Sequence, residues 1–62
     1  MKVVLFGTGS VANHAFSMIE KPIAYCVDNN RERWGANFHQ LKIYPPEKLL
    51  DENLNEIYIL VA

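Results

Sequence analysis

The chain has 62 residues, 50% of them hydrophobic, with six basic and seven acidic side chains and a formal net charge of −1. A chain of this length forms at most one domain, and its composition is that of a folded protein. The near-neutral charge, without a run of Lys or Arg, argues against nucleic-acid binding. The apolar segment after Met1 is too short for a signal peptide or a membrane span, and a single cysteine suits a reducing, cytoplasmic location.

Residues 1–30 have the pattern of a βαβ unit. An apolar run of strand length at residues 2–6 is followed by the sequence GTGSVA at residues 7–12, which fits the G-x-G-x-x-G/A fingerprint with alanine in the third small position. A second apolar strand is predicted at residues 23–27 and ends in Asp28. This acid follows Gly9 by about 20 residues, the separation expected for a carboxylate that receives ribose hydroxyls.

The helix between these strands is predicted to begin at Gly9 or Ser10, with Ser10 as its N-cap, and to run to about Lys21 before Pro22 stops it. Helical spacing places a set of apolar side chains on the face that would pack on the sheet. This set is Val11, Ala12, Ala15, Met18 and Ile19. Phe16 lies at the boundary of that face, where it can pack against a neighbouring segment.

The rest of the chain completes an α/β pattern. A polar loop at residues 29–35 precedes a short, edge-like strand at 41–44, a short helix at 47–52 and a last strand at 57–61. We predict a truncated Rossmann-like fold with a three-stranded parallel sheet in the order 3-2-1 or 2-1-3. The order 2-1-3 is favoured because it places the apolar strand at 2–6 in the centre. The apolar strand at 57–61 would leave an unpaired edge, so we expect the domain to continue beyond residue 62 or to pair with a second copy.

The two glycines in the turn after the first predicted strand would allow that turn to bind a phosphate. Gly7 permits a tight turn after the strand, and Gly9 allows the backbone to approach a phosphate that the first N–H groups of the helix would bind. The alternative is a plain strand-to-helix turn without a ligand. Asp28 would accept ribose hydroxyls or would cap the loop after it, and Arg31 and Arg33 would be solvated or would hold a phosphate.

Other reactive side chains form no catalytic constellation in the sequence. His14 and His39 have no nearby partner, Cys26 is expected to be an inert core thiol, and no residues have the spacing of a metal site. We therefore predict no catalytic residue in this chain. Trp34 and Tyr44 are expected to cover the end of the small core or to stack on a base.

With these motifs in place, the chain resembles the small Rossmann-like modules of bacterial sugar-nucleotide and surface-polysaccharide biosynthesis enzymes, which accompany acyltransferases, dehydratases and methyltransferases. The similar segments are VLFGTGS at residues 4–10, AYCVDNN at 24–30, Trp34-Gly35, LKIYPPE at 41–47 and the last strand. The resemblance implies a site for a nucleotide-sugar or an NAD-type cofactor formed by Gly7, Thr8, Gly9, Ser10, Asp28 and Asn29. Two departures are Gln40, where glycine is usual, and Ser10-Val11, where the acyltransferase modules often have Gly-His.

Three hypotheses remain open at this point. The chain is a nucleotide-binding module of a sugar-nucleotide or polysaccharide biosynthesis enzyme, with its catalytic part elsewhere in the parent protein. Alternatively, it is the N-terminal segment of an NAD-dependent oxidoreductase or epimerase. The third hypothesis is a structural or oligomerisation fragment that binds no ligand.

Overall fold

We describe the protein from a computed structural model that covers residues 1–20 and 22–62. In chain order the elements are strand β1 (Lys2–Phe6), helix α1 (Ser10–Phe16), strand β2 (Tyr25–Val27), a first 3-10 helix (Arg31–Arg33), strands β3 (Asn37–Phe38) and β4 (Leu41–Tyr44), a second 3-10 helix (Pro46–Asp51) and strand β5 (Ile57–Val61). Two 3-10 helices therefore stand where the sequence predicted a polar loop and a short helix.

Within the described residues, five strands form one sheet in the order β3-β4-β2-β1-β5. β1 pairs in parallel with β2 on one side and with β5 on the other, and β2 pairs in parallel with β4. The predicted 2-1-3 order of the strands at 23–27, 2–6 and 57–61 is therefore confirmed. The protein has an α/β fold with a mostly parallel sheet.

The prediction of three strands, all parallel, was wrong. β3 pairs antiparallel with β4, so the sheet is mixed, and β4 lies between β3 and β2 instead of at an edge. A two-residue turn makes this hairpin: His39 and Gln40 have φ angles of 51° and 69°, both in the left-handed region. Such turns normally carry Asn or Gly. Because the sequence has neither at these positions, it gave no signal for the hairpin.

Helix α1 is shorter than predicted, ending at Phe16 rather than near Lys21, a position that lies outside the described residues. Ser10 is its first residue and Gly9 its N-cap, which corrects the prediction of Ser10 as the cap. At the other end, the Ser17 hydroxyl donates to the His14 carbonyl at 2.8 Å, and the following N–H groups bond three residues back. These bonds replace the regular helical pattern and stop the helix.

The core lies on both faces of the sheet. On one face, side chains of β1, β2 and β5 pack with the second 3-10 helix; the buried members are Val4, Tyr25, Val27 and Ile57. On the other face, β1, β2 and β4 pack against α1; the buried members are Leu5, Ala12, Cys26 and Ile43. β1 and β2 are covered on both faces of the sheet, which explains why each of them is a continuous apolar run in the sequence.

The packing face of α1 differs from the predicted one. Ala12 is buried and Phe16 and Ile19 pack against the same cluster, whereas Val11 and Met18 are 70% and 72% exposed. The ring of Phe16 makes an edge contact with Phe38 of β3, with centroids 5.8 Å apart. The predicted contact between Phe16 and a neighbouring segment is thus present, and the partner is the hairpin that the sequence did not indicate.

Candidate functional site

The glycine turn, residues 7–10, connects the carboxyl end of β1 to α1. Gly7 has a φ of +110°, and a Cβ atom placed on it would lie 3.1 Å from the carbonyl oxygen of Ala62. Its N–H donates to the Val27 carbonyl at 2.8 Å, and the N–H of Ala62 donates to the Phe6 carbonyl at 2.9 Å. Glycine is therefore required at position 7 both by its backbone conformation and by the close approach of the chain after β5.

Asp28 holds the glycine turn from the end of the neighbouring strand. Its Oδ2 accepts hydrogen bonds from the N–H and the hydroxyl of Thr8, at 2.8 and 2.6 Å, and its Oδ1 accepts from the N–H of Asn30 at 2.8 Å. Thr8 is only 2% exposed. Burial by itself would raise the pKa of Asp28, but these hydrogen bonds and the charge of Arg33 hold the pKa below its usual value. The carboxylate is thus ionised and fixed at neutral pH.

Arg33 approaches the same turn from the first 3-10 helix. Its Nη1 donates to the carbonyl oxygen of Thr8 at 2.8 Å and lies 3.4 Å from the Thr8 hydroxyl oxygen. The helix that carries it is fixed at both ends: Asn30 accepts from the N–H of Glu32, and the indole N–H of Trp34 donates to the Asp28 carbonyl at 2.6 Å. The guanidinium is therefore held against the glycine turn by a segment whose backbone is fixed by these hydrogen bonds.

Gly9 differs from Gly7 because nothing in the fold requires it. Its φ of −80° and ψ of −166° are open to any residue, and, apart from its chain neighbours Thr8 and Ser10, no described residue has an atom within 4 Å of the place where a Cβ would lie. In the part of the chain that the structure describes, the N–H groups of Gly9, Ser10 and Val11 donate no hydrogen bond within the protein. The turn thus offers unoccupied donors at a position without a side chain.

The structure brings together five of the six predicted site residues. Gly7, Thr8, Gly9 and Ser10 form the turn, and Asp28 contacts it directly. Ser10 begins α1 and is exposed, and the exposed Asn29 follows β2; neither side chain makes a hydrogen bond to the described residues around the turn. Sequence reasoning left the position of Arg33 open. Asn30 was an available signal for the start of the first 3-10 helix, but not for the contact of Arg33 with the turn.

The remaining reactive side chains lie away from the turn. His39 is bonded to Asn13 through Nε2 and stacks on Phe16 with ring centroids 4.3 Å apart. Cys26 is buried in β2, and burial raises the pKa of its thiol to about 11, as expected for an unreactive core cysteine. Among residues 1–20 and 22–62, no group of three His, Cys, Asp or Glu side chains is placed to hold a metal ion. In the same residues, no helix has the length and apolar character to cross a membrane.

The fold and the turn define a small α/β protein in which an acid at the end of β2 organises the glycine turn after β1. The model of the C2185-like N-terminal domain family matches residues 1–62, so the chain belongs to that family. A comparison with curated proteins gave no match. The family description names no ligand, reaction or partner.

Proposed function

We propose that this chain is a nucleotide-binding module with a truncated Rossmann-like fold, whose ligand is a nucleotide-sugar or an NAD-type cofactor. The ligand would lie at the carboxyl ends of β1 and β2, where parallel sheets bind their ligands. By the resemblance of its motifs, its parent protein would be an enzyme of sugar-nucleotide or polysaccharide biosynthesis. The free thiol of Cys26 accords with a cytoplasmic location for that function.

Gly9 is the observation that carries the proposal. Gly7 is explained by its φ angle and by the proximity of Ala62, but Gly9 has an ordinary backbone conformation and open space around it. Glycine is a poorer N-cap than Ser, Asp or Asn, so helix stability does not explain its presence. A ligand that approaches the backbone closely does explain it, because any side chain at this position would occupy the ligand's place.

The donors available to a phosphate are the N–H groups of Gly9, Ser10 and Val11. Because α1 has only seven residues, the donors themselves would contribute more than the helix dipole. Asp28 would contribute mainly by organising this turn. A carboxylate has about four acceptor positions, and Thr8 and Asn30 already use three of them. Asp28 therefore has room for one ribose hydroxyl, not for both.

The test is a calorimetric titration of the protein with NAD and with UDP-glucose, repeated on Gly9→Ser and Gly9→Val. Serine is a better N-cap than glycine, so Gly9→Ser should leave the free energy of unfolding within about 0.5 kcal/mol of the original. We expect it to weaken binding at least tenfold, and valine to abolish binding through its larger side chain. Gly7→Ala is the contrasting variant: because Gly7 has a φ of +110° and lies close to Ala62, this change should lower the free energy of unfolding, whereas Gly9→Ser should not. Unchanged affinity in Gly9→Ser would show that the turn is only structural.

A second candidate function is association through β5, which the exposure of that strand favours. β5 is the outermost strand of the described sheet, and Tyr58, Ile59 and Val61 are 54%, 37% and 80% exposed. A groove of about 350 Å³ lies beside it, between Tyr58 and Leu60 on one side and Met18 and Ile19 on the other. The groove is lined mainly by apolar side chains, with Glu20 as its charged member, and an uncharged edge strand beside such a groove is a surface that normally has a partner.

A further inference from the structure

Strand β5 has one edge without a hydrogen-bonding partner among the described residues. On its other edge it pairs in parallel with β1, and the N–H of Ala62, just after β5, donates to the Phe6 carbonyl at 2.9 Å. Because the N–H and C=O groups of successive strand residues point to opposite edges, the even-numbered residues of β5 bond β1. The odd-numbered residues therefore direct their N–H and C=O groups away from the sheet; they are Ile57, Ile59 and Val61.

Both faces of the sheet are apolar beside this edge. Ile59 and Val61 are exposed on the face that carries the second 3-10 helix, and Tyr58 borders the groove beside Met18 on the face of α1. A strand that adds to the edge must therefore be uncharged and apolar on both of its own faces. Among the described strands, β1 and β2 are apolar on both faces but already have a neighbour on each side, which leaves β5 itself.

We propose that β5 pairs antiparallel with β5 of a second copy, about a two-fold axis that passes through Ile59 perpendicular to the sheet, and that the two sheets become one. This inference rests on the second candidate function, association through β5, and identifies its partner. Ile59 then lies opposite its own counterpart, and Ile57 lies opposite Val61 of the second copy. Each opposed pair exchanges two hydrogen bonds, so every outward N–H and C=O group of β5 has a partner.

Side chains and charges fit this register. The opposed side chains are Ile59 with Ile59 and Ile57 with Val61 on one face, and Tyr58 with Leu60 on the other. Aliphatic and aromatic pairs of this kind stabilise antiparallel strands. Glu56, the charged residue next to β5, lies opposite Ala62 of the second copy. The two Glu56 residues are then six positions apart along the strands, about 20 Å at about 3.4 Å per residue, so these like charges do not meet.

The test is sedimentation equilibrium of the original protein from about 10 µM to 1 mM, the range of weak complexes with small interfaces. It is repeated on Ile59→Lys, on Ile59→Glu and on an equimolar mixture of the two. Because Ile59 lies on the two-fold axis, each variant alone places like charges opposite each other and should stay monomeric. The mixture pairs opposite charges, so its dimer should be about tenfold tighter than that of either variant.

The matched control is the mixture of Val61→Lys with Val61→Glu. Val61 lies on the same face of β5 as Ile59 and is more exposed, but it opposes Ile57 rather than its own counterpart. Mixing should therefore give no more dimer than the separate Val61 variants. Both positions are exposed, so the charged variants should fold, and thermal unfolding checks that they do.

Amide hydrogen exchange gives a second measurement on the original protein. The outward N–H groups of Ile57, Ile59 and Val61 should exchange more slowly as the dimer fraction rises with concentration. The N–H groups of Tyr58 and Leu60 are already bonded to β1, so their exchange should depend less on concentration.

The outcomes separate this inference from the function on which it rests. Restored dimerisation at position 59 but not at 61, with slower exchange of the outward N–H groups, supports the pairing. A dimer that Ile59→Lys dissociates, but that mixing fails to restore or restores equally at both positions, overturns the pairing while association through β5 stands. A dimer that Ile59→Lys leaves intact, or a monomer at every concentration, overturns both.

Discussion

Replacing Asp28 with Asn should destabilise the protein by about 2–3 kcal/mol. The carboxylate accepts three hydrogen bonds, two at Oδ2 from Thr8 and one at Oδ1 from Asn30. An amide has a single acceptor oxygen, so if that oxygen faces Thr8, the amide NH₂ meets the N–H of Asn30, which is also a donor. One bond is then lost and the other two lose the charge that strengthens them. Hydrogen bonds to charged groups contribute about 1.5–3 kcal/mol each and neutral ones about half as much, so the bonds alone lose about 3–6 kcal/mol. Because a neutral amide costs less to bury than the carboxylate, whose ionisation burial opposes, the net loss is smaller.

The assay is thermal and urea-induced unfolding at pH 7, with Asp51→Asn as the matched control because Asp51 is exposed and lies outside this network. In a domain of this size, a loss of 2 kcal/mol lowers the melting temperature by about 8–16 °C. A change of less than about 0.5 kcal/mol in Asp28→Asn would refute the argument, because it would mean that the carboxylate does not hold the turn.

The same network predicts how stability depends on pH. Burial opposes ionisation of Asp28, but the hydrogen bonds and Arg33 outweigh it and lower the pKa in the folded protein. The ionised carboxylate therefore stabilises the fold fully above the unfolded-state pKa of about 3.9, and this contribution is lost as the pH falls through the lower folded-state pKa. We expect stability to decrease with acidification below about pH 4, and this part of the decrease should be absent from Asp28→Asn.

Two further predictions concern the hairpin and the edge strand. Gln40 has a φ of 69°, so Gln40→Gly should raise the free energy of unfolding by about 1 kcal/mol, measured by urea denaturation. The control is Leu54→Gly, at an exposed site without a positive φ, which should not raise it. A lower free energy of unfolding in Gln40→Gly would contradict this explanation of the turn. The exposed β5 edge should make the protein associate at high concentration, as measured by sedimentation, and Ile59→Lys should keep it monomeric. If the original protein is a monomer at every concentration, β5 needs no partner.

The candidate site illustrates which parts of a site a sequence specifies. Gly7, Gly9 and Asp28 were predicted from their order after two strands, and the structure does bring Asp28 to the turn because adjacent parallel strands end at the same edge of the sheet. The role of the acid was left open between ribose binding and capping of the following loop. Only the tertiary structure shows that Thr8 and Asn30 occupy most of its acceptor positions. The contact of Arg33 with the turn depends on how the first 3-10 helix folds back, and that path is not encoded locally.

Local sequence by itself determined the elements with a clear strand pattern. The bounds of β1 and β5 followed from continuous hydrophobic runs, and those of β4 from its alternation of apolar and polar residues. The apolar run of β1 also predicted a strand that is covered on both faces and paired on both edges, and β1 lies between β2 and β5. Tertiary structure alone decided the hairpin of β3 and β4. The strained turn at His39 and Gln40 is maintained by contacts with α1, including the stacking of His39 on Phe16, which lies far away in sequence. Interactions of this kind override local preference, and a local pattern therefore cannot reveal them.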